Sequence, residues 1–469
     1  SVSMPTTTLQ QLLQDIPPPP EESLLSQIRE KISSSQQTIV VLDDDPTGTQ
    51  TVYDVPVLTE WTTEVIKAEF QRATPLFFIL TNSRSLPVQK ANQLAVTIGQ
   101  NLIEASQQTG QNFFVISRSD STLRGHYPNE VNALLAGMQQ EAAVRILVPA
   151  FLEGGRYTIN DTHYVQEGNQ LIPVGETPFA QDKSFGFSAS NLKGWVEEKT
   201  DGKVKSKDVV SLSLSDLRQK GATYVTETLS ACSPNATYIV NAVHRSDLEI
   251  FALGLLNTKV PVICRTAASV VPILAGLAPQ PLLTRDQLLS DSANGGLIVV
   301  GSYVPKSTAQ LEHLLQHASV QSIKLDVNEI LEYSDIEDFA QQTAQKIGQL
   351  LTDNQDTVIY TSRDLVSGQD KEESLKIGQQ VSSFLTNVIQ QISIKPRYLL
   401  AKGGITSSDT ATQGLGVKKA NVLGQVLSGV PVWKLGEESK FPGLTYIVFP
   451  GNVGQADSIT EVINQLKTK

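Results

Sequence analysis

Three consecutive acidic residues, Asp43, Asp44 and Asp45, follow an apolar run and precede the turn residues Pro-Thr-Gly-Thr. Residues 38–42 are mostly β-branched, so they predict a buried strand that carries the acids at its carboxyl end. Open α/β sheets bind ligands at that end of their strands, where a carboxylate can orient or deprotonate a substrate hydroxyl. The pattern indicates one edge of an active site. A solvated acidic turn is the alternative, since Asp-Pro and Thr-Gly are common turn residues.

Two further loops combine charged and hydroxyl residues after an apolar run. Residues 113–116 predict a strand that is followed by Ser-Arg-Ser-Asp-Ser-Thr-Leu-Arg-Gly-His at 117–126, and residues 76–80 predict one that is followed by Thr-Asn-Ser-Arg-Ser at 81–85. In a parallel sheet these loops meet at one edge. Arginine forks suit carboxylate and phosphate groups, and hydroxyls and amides suit a polyhydroxylated ligand. The three loops therefore indicate a site for a small, acidic, sugar-like molecule.

The elements that position these loops alternate along the chain as apolar strands and amphipathic helices, which is typical of parallel α/β sheets. Further strands are predicted at 144–148, 237–240, 260–264, 296–300, 322–325, 357–361, 398–401 and 446–449. Helices are predicted near 88–107, 128–139, 247–256, 305–317, 335–353, 371–392 and 456–467.

A chain of 469 residues with 40% hydrophobic and 18% charged residues is too long for one ordinary core. We predict two α/β domains with mainly parallel sheets. Their ranges are an N-terminal extension at 1–35, a first domain at 36–290 and a second at 291–469. Residues 151–235 break the alternation and predict either a functional excursion or an insertion packed for stability.

Composition excludes several classes of function. The formal net charge of −11 argues against non-specific nucleic-acid binding, which needs a basic face. No apolar run has the length of a membrane span, and no secretory signal is evident, so we expect a cytoplasmic protein. Cys232 and Cys264 are expected to be reduced, packed thiols. The histidines have no zinc-site spacing, so no metal site is predicted; His244 could reach the substrate edge or lie beside a helix N-cap at Ser246.

The second half of the chain has neither a P-loop nor a dinucleotide fingerprint. Instead, strand 398–401 runs into Lys402-Gly-Gly-Ile-Thr406 before a helix, and similar strand, turn and helix arrangements occur at 301–305 and 450–454. Glycines let the backbone approach a phosphate, and a helix start presents unpaired N–H groups to an anion. Each turn could also be a structural helix start alone. Lys402 could lie close to phosphate or be a solvated lysine.

Taken together, the motifs resemble the four-carbon acid sugar kinase family. They are Asp-Asp-Asp-Pro-Thr-Gly-Thr at 43–49, Ser-Arg at 83–84, Arg-Ser-Asp-Ser-Thr-Leu-Arg-Gly at 118–125, Lys-Gly-Gly-Ile-Thr at 402–406 and Gly-Asn-Val-Gly at 451–454. The resemblance runs from residue 38 to the C-terminus. It implies that ATP phosphorylates a tetronate or 3-oxo-tetronate, with the acid sugar on the first domain, the nucleotide on the second and the active site in the cleft between them.

The acids on the first domain and the glycine turns on the second, together with the resemblance, predict roles for individual residues. Asp45 is the leading substrate-side carboxylate and Asp120 the second, Arg84 and Arg118 clamp the substrate carboxylate, and Mg²⁺ bridges phosphate oxygens. The predicted substrate-binding residues are Asp44, Asp45, Arg84, Arg118, Ser119, Asp120, Ser121 and Arg124. The predicted nucleotide-binding residues are Ser302, Lys402, Gly403, Gly404, Ile405, Thr406, Gly451 and Asn452.

Relatives often have an acid before the threonine of the 402–406 loop and a lysine or threonine beside the glycine of the 450–454 loop. This chain departs from both patterns, which leaves the finer side-chain contacts open. The alternatives are an oxidoreductase with a nucleotide cofactor and a non-catalytic acid-sugar binding protein. A homodimer is a mild expectation, because two-fold assemblies are common.

Overall fold

The structure is a computed structural model that describes residues 7–290, 292–363 and 371–467. Contacts divide the chain into two compact units. The first unit comprises Ser1–Val52 and Glu60–Pro279, and the second comprises Tyr53–Thr59 and Gln280–Lys469.

The strands of the described residues, in chain order, are β1 (Thr38–Asp43), β2 (Val55–Leu58), β3 (Leu76–Leu80), β4 (Phe113–Arg118), β5 (Val144–Val148), β6 (Arg156–Ile159), β7 (Thr162–Glu167), β8 (Gln170–Pro173), β9 (Val210–Leu212), β10 (Thr237–Val240), β11 (Val262–Thr266), β12 (Leu297–Val300), β13 (Gln321–Leu325), β14 (Thr357–Thr361), β15 (Tyr398–Lys402), β16 (Lys419–Leu427), β17 (Val430–Leu435) and β18 (Thr445–Phe449).

The α-helices of the same residues are α1 (Leu9–Leu12), α2 (Leu25–Ser35), α3 (Thr63–Gln71), α4 (Val88–Thr109), α5 (Asn129–Gly137), α6 (Leu192–Lys199), α7 (Leu214–Ser230), α8 (Arg245–Leu256), α9 (Val270–Leu274), α10 (Arg285–Leu288), α11 (Pro305–His317), α12 (Val327–Glu332), α13 (Ile336–Thr352), α14 (Lys371–Gln391), α15 (Gly404–Asp409) and α16 (Ser458–Leu466).

The first unit contains a fully parallel sheet in the order β3-β1-β4-β11-β5-β10-β9. Its central strands are apolar on both faces, as expected for a sheet covered by helices. Phe77, Phe78 and Ile79 of β3 are at most 1% exposed, and burial of each such side chain contributes roughly 1.5–3 kcal/mol. Because the strands are parallel, the loops after β1, β3, β4 and β11 all lie at one edge of the sheet.

The second unit contains parallel strands in the order β13-β14-β12-β15-β18, extended by the antiparallel strands β17, β16 and β2. The prediction of mainly parallel sheets is confirmed. Tyr53–Thr59, which the predicted ranges include in the first domain, belongs to the second unit. The physical reason is that β2 pairs with β16, with Val57 opposite Ala420.

Residues 151–235 form a small antiparallel sheet in the order β6-β7-β8, together with α6, β9 and α7. The N-terminal extension packs on this sheet through an apolar cluster that includes Leu9, Leu12 and Leu171. A backbone bridge joins Thr7 to Leu171. The stretch is therefore a folded insertion that shares an apolar cluster with the N-terminal extension, and its strands were not predicted.

Most predicted strands and helices are confirmed, and α11 has the predicted bounds. The hairpin of β16 and β17 was missed, although the burial of β16 alternates strictly between neighbouring residues. The predicted N-cap at Ser246 was wrong, because the His244 side chain accepts from the Ser246 backbone N–H and so caps α8 itself. Within the described residues, no helix is both long and apolar enough to cross a membrane.

Candidate functional site

Asp43 is the last residue of β1 and is fully buried. Its Oδ1 accepts from the Asp45 backbone N–H at 3.2 Å and lies 3.4 Å from Arg118 Nη1. Its Oδ2 is buried with no hydrogen-bond partner. Burial raises the pKa of Asp43 to about 7, although the Arg118 guanidinium opposes this shift. Gly48 closes over the carboxylate, because a Cβ at that position would lie 2.0 Å from Asp43 Oδ2.

Asp44 is buried and binds the guanidinium of Arg84 with both carboxylate oxygens. Arg84 Nη2 donates to Oδ1 at 2.7 Å and Arg84 Nε donates to Oδ2 at 3.3 Å. Ser119 Oγ also donates to Oδ2, at 2.5 Å. Burial would raise the pKa of Asp44, but Arg84 and Arg265 outweigh it and the pKa is lowered. Asp44 is therefore a fixed negative charge inside the site.

Asp45 is the half-buried N-cap of the 3₁₀ turn Pro46–Thr49. Its Oδ1 accepts from the Thr47 backbone N–H at 2.9 Å and from the Thr47 hydroxyl at 2.5 Å. Its Oδ2 lies 3.7 Å from Arg84 Nη1. The cap explains why the chain turns here. The capping oxygen is occupied, and Oδ2 is the oxygen that a substrate hydroxyl could approach.

The loop after β4 is organised around Asp120. Asp120 Oδ2 accepts from the Thr122 hydroxyl, and Arg124 Nε donates to the same oxygen at 2.9 Å. Burial would raise the pKa of Asp120, but Arg124 and Arg84 outweigh it and hold that pKa well below its usual range. A carboxylate that stays ionised in this way is a poor proton acceptor. Ser119 and Ser121, predicted to bind substrate, are buried in the same loop.

Two buried charged residues beneath these loops, Arg265 and Glu130, are not among the predicted site residues. Arg265 of β11 donates to Ser117 Oγ at 2.8 Å and to Glu130 Oε1 at 2.7 Å. The Ser83 hydroxyl donates to the other oxygen of Glu130. The predicted strand 260–264 ended too early, since β11 continues to Thr266 and carries Arg265 to the edge of the sheet. The sequence signal that could have identified Arg265 is its position directly after the apolar run of β11.

The insertion contributes residues to the same edge. Arg124 lies over the ring of Phe179, 5.0 Å from its centroid, and its Nη1 is 3.8 Å from Asp182 Oδ2. His163 of β7 is fully buried and its Nε2 donates to the Ser121 carbonyl at 2.6 Å. Burial lowers the pKa of His163 to about 4, so the ring is neutral at pH 7. The Phe179 to Asp182 stretch thus borders the predicted substrate site.

The structure therefore brings together all the predicted substrate-binding residues at one edge of the first sheet. It also shows that Arg84 and Arg118, the predicted carboxylate clamp, each face an internal carboxylate, Asp44 and Asp43 respectively. Strand order explains this pairing, because β1 lies between β3 and β4 and Asp43 is in register with Arg118.

In the second unit, three glycine-containing loops meet around Ser302. A Cβ on Gly403 would lie 2.9 Å from Ser302 Cβ, and a Cβ on Gly451 would lie 3.3 Å from Ser302 Oγ. A Cβ on Gly301 would lie 2.2 Å from Thr406 Oγ1. Gly403 has φ of 110°, which an L side chain rarely adopts. The loops after β12, β15 and β18 are therefore packed so closely that a side chain at Gly301 or Gly403 would clash with the neighbouring loop.

Lys402 is buried rather than solvated, so the solvated alternative was wrong. Its Nζ donates to the Pro450 carbonyl at 2.5 Å and to the Gly451 carbonyl at 3.3 Å. It also lies 4.2 Å from the centroid of the Phe449 ring. Burial lowers the pKa of Lys402 to about 7, and Lys306 adds to the shift. In this position Lys402 joins the loop after β18 to the end of β15.

Further side chains hold the same loops. Ser307 Oγ donates to the Gly451 carbonyl at 3.2 Å, and Gln310 Nε2 donates to the Val453 and Gln455 carbonyls. Arg363 donates to the Ser302 carbonyl, while its Nε and Nη1 are buried without a hydrogen-bond partner.

The remaining predicted nucleotide residues lie on these loops as well. Gly404 begins α15, Ile405 is 66% exposed, and Asn452 is exposed beside Gly451. Within the part of the chain that the structure describes, no three His, Cys, Asp or Glu residues are grouped as a metal site.

Comparisons with known proteins fit this arrangement. Residues 39–274 match the family model of a sugar-binding N-terminal domain, and residues 297–459 match that of a nucleotide-binding C-terminal domain. A solved Haemophilus influenzae protein assigned to domain of unknown function 1537 is 18% identical, with a TM-score of 0.62 over 91% of this chain and 99% of that chain. A Salmonella typhimurium LT2 protein provisionally named a tRNA synthase is 17% identical, with a TM-score of 0.66 over 91% and 98%.

At these identities, the likeness to solved structures shows the fold alone. No curated protein matches the chain. The two family models assign sugar binding to the unit with the charged edge and nucleotide binding to the unit with the glycine loops.

Proposed function

Because the chain belongs to the four-carbon acid sugar kinase family, we propose that it is an ATP-dependent kinase that phosphorylates a hydroxyl of a tetronate or 3-oxo-tetronate. The observation that carries this proposal is the convergence of the glycine loops on Ser302. A polyphosphate can approach bare backbone closely, and the charged edge of the first unit suits a small hydroxy acid. The chain then holds both the phosphoryl donor and the acceptor.

In the proposed reaction, the bond between the γ-phosphorus and the bridging oxygen of ATP breaks, and ADP leaves. A new bond forms between that phosphorus and the sugar hydroxyl oxygen, and the hydroxyl proton passes to a carboxylate. Asp45 is the better acceptor, because its Oδ2 is not used by the cap. Asp120 stays the second candidate; its lowered pKa favours binding the substrate over taking its proton.

For the nucleotide, the proposed contacts are the backbone of Gly403, Gly404 and Gly451 with the hydroxyls of Ser302 and Thr406. Ile405 and Asn452 complete the set on the same loops, and Lys402 would position two of these loops through its bonds to the Pro450 and Gly451 carbonyls. In nucleotide sites Mg²⁺ is usually held by phosphate oxygens and water with one or two protein carboxylates, so the metal would arrive bound to ATP. Bound in that way, Mg²⁺ would neutralise charge on the phosphate oxygens.

The decisive experiment is a coupled assay of ADP release with the stereoisomeric threonates, erythronates and their 3-oxo forms. We expect ADP release above the ATPase background with at least one acid, and a phosphorylated product of matching mass. Purified chain that releases no ADP with any tetronate, although it binds ATP–Mg²⁺, would remove the kinase proposal.

Thermal-shift measurements separate the alternatives, because a true ligand raises the apparent stability by mass action. Stabilisation by ATP–Mg²⁺ together with a tetronate supports the kinase. Stabilisation by NAD but not by ATP would favour an oxidoreductase, and stabilisation by sugar acids alone would favour a binding protein.

A further inference from the structure

The arginines at the edge of the first sheet differ in whether they already have a carboxylate partner. Arg84 pairs with Asp44 at 2.7 Å, Arg118 with Asp43 at 3.4 Å, Arg124 with Asp120 at 2.9 Å, and Arg265 with Glu130 at 2.7 Å. A substrate carboxylate that bound to one of these arginines would compete with an internal carboxylate. Such competition makes each of them a weak primary anchor.

Arg156, the first residue of β6, has no such partner. Within the described residues, no carboxylate oxygen lies within 4 Å of its guanidinium. Its Nη1 makes one long hydrogen bond, 3.4 Å to Ser121 Oγ, and its Nε is buried without a partner. Burial lowers the pKa of Arg156; the Asp120 carboxylate opposes this shift and the Arg124 guanidinium adds to it. A partly buried guanidinium in this state gains most from an anionic ligand.

Arg156 lies on a strand that is held in place by its neighbours. β6 pairs with β7, with Thr158 opposite His163, and His163 fixes the Ser121 carbonyl. The small sheet is thereby joined to the loop after β4. The ring of Phe179 lies near both guanidiniums, 5.8 Å from that of Arg156 and 5.0 Å from that of Arg124. The apolar ring shields this corner from water, which strengthens an ion pair formed there.

We propose that Arg156 is the residue that recognises the carboxylate of the acid sugar, with Ser121 and Arg124 beside it. The insertion at 151–235 then has a role in specificity, since it supplies Arg156 and Phe179. Arg84 and Arg118 act instead to position Asp44 and Asp43. This inference rests on the proposed function, because it names the group that distinguishes an acid sugar from a neutral one.

The test compares binding of tetronates with binding of the corresponding uncharged tetritols, in which a hydroxymethyl group replaces the carboxylate. Both ligands are titrated calorimetrically into the full chain, so that catalysis is not needed. Wild-type chain is expected to prefer the acid. Arg156→Gln is expected to weaken tetronate binding about 10- to 100-fold and to leave tetritol binding unchanged, as expected for the loss of a charge-assisted hydrogen bond. Affinity for ATP–Mg²⁺ should not change.

The matched control is Arg145→Gln. Arg145 lies at the amino end of β5, at the opposite edge of the same sheet, and its Nη1 is engaged by the Glu141 and Ala143 carbonyls and by Asn235. Its loss should leave the preference for acid over tetritol unchanged. Arg156→Lys provides a second variant in case the glutamine variant does not fold. Lysine keeps the positive charge but lacks the forked donors of the guanidinium, so this variant should retain part of the preference for tetronate over tetritol.

Three results are informative. Loss of the acid preference in Arg156→Gln, but not in Arg145→Gln, supports the inference. An unchanged preference in folded Arg156 variants overturns it and leaves the kinase proposal standing. Wild-type chain that binds no tetronate at all overturns both.

Discussion

The ammonium of Lys402 lies 2.5 Å from the carbonyl oxygen of Pro450, on the neighbouring parallel strand's loop. A lysine that follows a strand and precedes two glycines would ordinarily be read as a phosphate ligand. Here both of its hydrogen bonds go to the loop after β18. Lys402 therefore fixes the distance between two of the three glycine loops.

This geometry predicts how nucleotide binding depends on Lys402. Lys402→Met removes the lysine donor from the Pro450 carbonyl and leaves the Gly451 carbonyl with Ser307 alone, which costs about 1–3 kcal/mol. Because the loop position changes rather than a phosphate contact, ATP, ADP and AMP should all lose affinity by a similar factor in calorimetric titrations. Lys395→Met is the control, since Lys395 also donates to a carbonyl, that of Pro442, but at the amino end of β15. Losses that grow with phosphate number would contradict the prediction.

Replacing Gly403 tests the glycine loops directly. Gly403→Ala introduces a Cβ 2.9 Å from Ser302 Cβ at φ of 110°, and backbone strain of this kind costs roughly 1–3 kcal/mol. We expect ATP affinity to fall at least ~10-fold, equivalent to about 1.4 kcal/mol. Gly416→Ala has a positive φ as well, 64°, but no neighbour within 4 Å. Gly416→Ala should lose stability and keep its ATP affinity in the same titration. Equal losses of ATP affinity in Gly403→Ala and Gly416→Ala would mean that backbone strain, and not the contact with Ser302, causes the loss.

Asp45→Asn tests the proposed proton acceptor without removing the cap. Asparagine caps helices about as well as aspartate, so the turn Pro46–Thr49 should persist. We expect kcat to fall by about two to four orders of magnitude, the range associated with a general base, while the melting temperature stays near that of the wild type. Asp45→Ala should show the same loss of kcat and a lower melting temperature. A near-normal kcat in the asparagine variant removes Asp45 from this role.

The buried Asp43 predicts a pH dependence of stability. Burial raises its folded-state pKa to about 7, whereas an unfolded aspartate titrates at about 4. Between these values the folded chain holds a proton that the unfolded chain has released, so the free energy of unfolding falls as pH rises through this window. The total change is on the order of a few kcal/mol. Denaturant titrations at several pH values should show that the free energy of unfolding falls with pH more steeply in the wild type than in Asp43→Asn. An identical pH dependence in both would show that Asp43 does not have a raised pKa.

Much of the candidate site could be predicted from the sequence, because it depends on local patterns. Apolar runs followed by Asp43–Asp45, by the 117–126 loop and by Lys402–Thr406 placed polar groups at strand ends, and a parallel sheet gathers strand ends at one edge. The two arginines that were not predicted, Arg265 and Arg156, lie outside these patterns. Arg265 lies at the end of a strand read as too short, and Arg156 begins a strand of an insertion with no clear alternation.

The sequence by itself determined that the chain has two α/β domains and which loops carry chemistry, since hydrophobic period and turn residues act over a few positions. Only the tertiary structure decided which charges neutralise each other. Because of the strand order, Arg118 pairs with Asp43, and because of the loop after β3, Arg84 pairs with Asp44. Among the described residues, the guanidinium of Arg156, on the small sheet, has no carboxylate within ion-pair distance and donates a hydrogen bond only to Ser121 Oγ. Ion pairing depends on distances of a few ångströms between residues far apart in the chain, and a linear pattern does not encode those distances.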